Sequence, residues 1–96
     1  SPLVIELANK LSSRPDFKAL ARRDERIKLL HELIFQRPAD AQDVELGSKF
    51  LDAAEALAKE EAAQAKQETK GQRKEPDIWQ KYAHALLQTN EATFIN

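Results

Sequence analysis

His31 and His84 are the two histidines of this chain. With no cysteine among its 96 residues, any acid–base or metal chemistry must be built from them and from carboxylates. His31 lies at the edge of the stripe formed by Ile27 and Ile34, and Glu32 beside it is turned about 100° away on a helix. That placement describes a boundary histidine of a packed helix. No second histidine follows His31 by four residues, so the helical zinc-protease motif is not present. His84 projects from the polar side of its helix, opposite Trp79 and Leu86, and reads as exposed. Carboxylates gather between Asp40 and Glu61, but paired acid–base carboxylates need a shared cleft with opposed environments, and these point mostly to a solvated face. Gly47 and Gly71 stand without companions, so no phosphate-cradling loop is visible. Trp79 and Tyr82, three residues apart, could stack a ligand; among Ile78, Leu86 and Leu87 they read as core.

The elements that must position these residues are helices. Ser1-Pro2 is an N-cap followed by proline at the first helical position, and Leu3, Val4, Leu7, Ala8 and Leu11 share one face, predicting a helix over 2–12. Pro15 breaks it, and Asp16 caps a short turn or helix carrying Phe17, Leu20 and Ala21. Asp24 is the expected N-cap of a helix over 24–36, with Ile27, Leu30, Leu33 and Ile34 at helical spacing and Leu29 widening the stripe. Arg37-Pro38-Ala39-Asp40 forms a corner, with Asp40 capping the next helix. From Ala41, the residues Val44, Gly47, Phe50, Leu51, Ala54, Leu57 and Ala58 share half a wheel, and Glu45→Lys49 and Glu55→Lys59 have the favourable i,i+4 order. Beyond residue 60 the buried face is lost. Residues 66–76 are polar, punctuated by Gly71 and Pro76, and predict a mobile linker. Asp77 caps a last helix over 77–89, Asn90 is its expected stop, and Thr93-Phe94-Ile95 is expected as an extended tail.

Composition narrows the partners. Fifteen Lys and Arg against sixteen Asp and Glu leave a net charge of −1, which gives no general attraction to nucleic acid or to an anionic membrane. A helix-turn-helix reading of 24–36 and 41–58 fails on its second helix, whose outward face is acidic. A mean hydropathy of −0.62 and the absence of any apolar run near 18 residues leave no membrane span, and no basic start followed by an apolar stretch marks a signal peptide.

Two stretches, Arg26-Ile27-Lys28-Leu29-Leu30-His31-Glu32-Leu33-Ile34-Phe35-Gln36-Arg37-Pro38-Ala39-Asp40 and Trp79 through Phe94 with its Ala85-Leu86-Leu87-Gln88-Thr89-Asn90-Glu91 centre, together resemble the C-terminal portion of the planctomycete cytochrome-associated domain of unknown function, also called the planctomycete surface domain. The opening helix also resembles that family's helix upstream of the Arg-Pro corner, so the similarity covers nearly all of the chain except 59–76. Gln88-Thr89-Asn90 replaces the more usual Asn-Ser-Asn, and Ala92-Thr93 separates Glu91 from Phe94. The resemblance implies the last part of a longer domain in large extracytoplasmic proteins of Planctomycetes and related bacteria, often with an upstream c-type haem domain. It carries no catalytic residue over, and a chain without cysteine attaches no such haem itself.

The expectation is therefore an all-α, compact bundle of four to five helices with a polar linker before the last, packed on Leu30, Leu33, Ile34, Phe50, Leu51, Leu57, Trp79, Tyr82 and Leu86. Residues 1–96 are read as one helical module, a fragment of a longer domain. Its expected function is non-catalytic: a structural or interaction module with no cofactor or metal of its own, meeting other domains of its parent or a protein partner through Leu3, Val4 and Leu7 or Phe94 and Ile95. The alternatives are a segment completing an active or haem-adjacent site formed upstream, to which His84, Asn90 or Glu91 would add one polar contact, or a peptide-binding helical groove. The interaction candidates are Trp79, Tyr82, His84, Asn90 and Glu91.

Overall fold

A computed structural model describes the backbone of residues 1–65 and 77–95, with side chains through Glu91; the expected linker at 66–76 lies outside the described residues. Five helices and no strand are found among the described residues: α1 (Pro2–Ser12), α2 (Pro15–Lys18), α3 (Arg23–Phe35), α4 (Ala41–Ala65) and α5 (Ile78–Ile95). The fold is all-α, as the 3.6-residue periodicity requires.

Pro2 opens α1, where its missing N–H costs nothing. The helix then buries Val4, Ala8 and Ser12, a stripe at i, i+4, i+8, and lies along α5 in the most extensive helix–helix contact of the fold. Ala8 on α1 and Ala83 on α5 are both fully buried, small enough to let the two helices approach. The contact face is narrower than the predicted one, so Leu3 and Leu7 remain outside with Ile5.

Two caps fall where the sequence puts them. Asp40 accepts the Asp43 N–H at 2.8 Å and Asp43 accepts the Asp40 N–H at 3.0 Å, a reciprocal box that starts α4. Asp77 Oδ1 accepts the N–H groups of Trp79 and Gln80 and starts α5. Asp24 is not a cap. Helix α3 begins one residue earlier, with Arg22 at the N-cap; Asp24 sits in the first turn, where it meets the helix dipole and the Arg22 guanidinium, Nη2 to Oδ2 at 2.8 Å. The same device opens α2, where Arg14 rather than Asp16 is the N-cap and Arg14 Nε lies 2.9 Å from Asp16 Oδ1. Gln36 ends α3 in the left-handed region, φ 60°, and its side-chain amide donates to the Leu33 carbonyl.

Asn90 does not stop α5, which runs to Ile95 and takes the expected tail into the helix. Asn is a modest helix former but carries its own N–H, and no glycine or proline follows it. The core is Phe17, Ile27, Leu30, Leu51, Tyr82, Ala83 and Leu87 with Val4 and Ala8; Leu11, Leu29, Ile34, Trp79 and Leu86 pack partly buried against it. Leu33 is only half-buried, and Phe50 and Leu57 are exposed. The α4 stripe is wide enough to have two apolar sectors, and the sector with Gly47, Leu51 and Ala54 faces the bundle. Glu55 is held by Arg23 Nη2 at 2.8 Å, whose Nη1 also reaches Asp52 at 2.8 Å, so the acidic side of α4 is tied to the start of α3.

Candidate functional site

Helices α3, α4 and α5 enclose an open cleft of about 590 Å³. Its polar end holds His31, Arg37 and Asp43; Leu46, Phe50 and Leu86 form much of its apolar wall, and Tyr82, Thr89 and Asn90 line the α5 side. His31 reaches it from the last turns of α3, Arg37 from the corner and Asp43 from the first turn of α4. The Arg37-Pro38-Ala39-Asp40 corner thus brings three ionisable groups together.

His31 is not the boundary residue its position suggests. Its side chain is only 5% exposed, because α4 covers the side of α3 that a lone wheel leaves open. Nε2 has no hydrogen-bond partner: the nearest acceptor, Asp43 Oδ2, is 3.5 Å away. A buried ring nitrogen without a partner costs about 1–3 kcal/mol. The neighbouring carboxylate favours the hydrogen on Nε2, which makes that atom a buried donor turned towards Asp43. Arg37 Nη1 lies 3.6 Å from the same Asp43 oxygen, beyond hydrogen-bond length, with its guanidinium over the Phe35 ring. The Asp40 N–H, and after it His31 and Arg37, hold the Asp43 carboxyl below the usual range, so the site carries one carboxylate facing two incompletely used donors.

Tyr82 closes the floor. Burial, and secondarily the Asp43 charge, push its phenol up to about 12, so it stays protonated and serves as a polar wall rather than a base. Its ring packs on Phe50 at 5.5 Å between centroids, and its hydroxyl sits over Gly47. Gly47 is therefore a packing glycine: a Cβ there would lie 2.5 Å from the Tyr82 oxygen and 3.0 Å from Ile27 Cγ2.

Of the five candidate residues, the structure brings Tyr82 and Asn90 together in this cleft. Trp79 belongs elsewhere, edge-on to Phe17 at 5.4 Å and beneath the Arg26 guanidinium, as a half-buried packing residue. His84 is half-buried rather than exposed and faces α1, lining a smaller hollow with Ile5, Ala8 and Gln80. Glu91 is exposed and lines neither space. Sequence reasoning missed His31, Arg37 and Asp43 as a group; the available signal was Asp43 three residues after Asp40, which fixes its carboxylate at the head of α4.

Outside the cleft the surface carries two apolar ridges. Leu3 (72% exposed) and Leu7, one turn apart, form one on α1, with Ile5 exposed on another side of that helix; Leu46 (58%), Phe50 and Leu57 (49%) form the other on α4, running out of the cleft mouth. Among the described residues no group of three metal-ligating side chains occurs, and no helix is long and apolar enough to cross a membrane. No family model matches this chain, and neither does any curated protein or solved structure.

Proposed function

We propose that this chain is a non-catalytic helical interaction module of a larger extracytoplasmic bacterial protein, holding other domains or a protein partner through its two apolar ridges. The observation that carries this reading is the concentration of five large exposed apolar side chains, Leu3 and Leu7 on α1 and Leu46, Phe50 and Leu57 on α4, into two helical ridges, on a chain whose surface is otherwise strongly charged. The cleft fits the same role. Its exposed Arg37 guanidinium suits an acceptor group on an incoming surface, and Tyr82 is held in its neutral form. A net charge of −1 supports a protein partner over nucleic acid. The resemblance of residues 26–40 and 79–94 to the planctomycete cytochrome-associated domain supports the extracytoplasmic setting and a c-type haem carried by another domain.

The test is Leu3→Lys with Leu7→Lys, made in this chain alone and in the longer protein. Both positions are exposed, so the isolated chain should keep its unfolding midpoint within about 0.5 kcal/mol. The longer protein should lose cooperative unfolding as the module comes away from its neighbour. Unchanged unfolding in both would remove the interaction role of that ridge.

A further inference from the structure

We propose that the α4 ridge and its cleft receive a second copy of this chain, the two α4 helices pairing antiparallel about a two-fold axis. This rests on the interaction-module reading and names the partner of one ridge. Leu46, Phe50, Ala53 and Leu57 repeat at 4-3-4 spacing, the seam of a helix pair, and all four are exposed. The seam is also its own mirror in antiparallel order. Leu46 and Leu57 stand equally far on either side of a point midway between Leu51 and Asp52, and so do Phe50 and Ala53. Each Leu46 then meets the other copy's Leu57, and each large Phe50 ring meets a small Ala53, the pairing that lets helices pack at about 8–10 Å. A two-fold interface makes every such contact twice.

The same register serves the polar end of the cleft. Glu60, exposed one step further along the seam, stands opposite Asp43 of the second copy, since these two positions share the same midpoint. The Glu60 carboxylate enters beside Arg37, which is exposed and whose guanidinium stops 3.6 Å from Asp43. Arg37 supplies the cation for both carboxylates. Apolar seam and charge are thus met by one occupant.

Sedimentation equilibrium of the chain from about 10 µM to about 1 mM tests this. A monomer of 10.9 kDa should convert to a species of about 22 kDa with a dissociation constant of about 100 µM. Leu57→Glu should raise that constant at least about tenfold, while Leu3→Glu, on the other ridge, should leave it unchanged. Arg37→Glu should weaken the dimer about tenfold, and adding Glu60→Arg should restore it to within about threefold. All four positions are exposed, and circular dichroism of each variant confirms that it is folded. A chain that stays monomeric at about 1 mM, a dimer indifferent to Leu57→Glu, or a charge exchange that fails to rescue would each overturn the proposal. Monomeric chain with an α4 ridge still protected from solvent labels in the longer protein would overturn the second copy while leaving the interaction module standing; both ridges labelled equally in the two forms would overturn both.

Discussion

Replacing Gly47 by alanine sets two effects of known size against each other. In the middle of a 25-residue helix, alanine is favoured over glycine by about 0.8–1.0 kcal/mol. Against that, the new Cβ would lie 2.5 Å from the Tyr82 hydroxyl, 3.1 Å from its Cζ and 3.0 Å from Ile27 Cγ2, so the phenol must move by roughly 0.9 Å to reach ordinary contact distance. Tyr82 has little room, being buried with Phe50 and Trp79 packed on its ring, and overpacking of this kind costs about 1–3 kcal/mol. The balance is a net destabilisation of about 1 kcal/mol, or a fall in Tm of about 4–8 °C for a domain of this size. Removing the offending oxygen should shift the balance back: in a Tyr82→Phe background, Gly47→Ala should be neutral or stabilising by up to about 1 kcal/mol. Urea unfolding, followed by far-ultraviolet circular dichroism and by Trp79 fluorescence, measures all four corners of that cycle. Stabilisation by Gly47→Ala in the unaltered chain, or a coupling to Tyr82 below about 0.5 kcal/mol, would refute the close approach of α4 to α5.

Trp79→Ala should cost about 3 kcal/mol, since it strips the edge contacts to Phe17 and Tyr82 and the seat of the Arg26 guanidinium, whereas His84→Ala should stay within about 0.5–1 kcal/mol; urea midpoints decide. Asp77→Ala should cost about 1 kcal/mol and be largely repaired by Asp77→Ser, because the cap needs only one acceptor for the Trp79 and Gln80 N–H groups. Asp43 links stability to pH. Its folded pKa is depressed, so its contribution is present above the unfolded value of about 4 and is lost as pH falls through the folded one; Asp43→Asn should flatten the acid limb of the unfolding profile below that unfolded value.

The all-α fold, the extent of α1 and the aspartate caps of α4 and α5 were legible because each depends on residues within a few positions of one another. Asp40 and Asp77 sit just before apolar repeats, and the structure uses both as caps. The features that escaped the sequence depend on a second helix. A wheel drawn for α4 shows one broad apolar half; only the arrival of α3 and α5 decides that Leu51 and Ala54 turn inward while Phe50 and Leu57 remain outside. His31 looks marginal on α3 alone and becomes buried once α4 crosses it. Arg22 takes the N-cap position instead of Asp24, whose carboxylate lies in the first turn, where it faces the helix dipole and pairs with the Arg22 guanidinium. Arg26 gave no sequence signal of a packing role, although its Nε donates to the Leu20 carbonyl at 2.8 Å and its guanidinium lies 4.7 Å from the Phe17 ring centroid, pinning the connection between α2 and α3. The cleft was half legible, with Tyr82 and Asn90 named and its charged end unrecognised, because those charges meet only through the turn at Pro38.

The measurement that bears most directly on the proposed interaction role is carbene footprinting of the two ridges, in this chain at about 10 µM and in the longer parent protein proposed for it. Leu3, Leu7, Leu46 and Leu57 should label strongly in the dilute chain and be protected severalfold in the proposed parent protein, while the exposed side chains of Glu25 and Lys28 should label alike in both. Equal labelling of both ridges in the two forms would contradict the account.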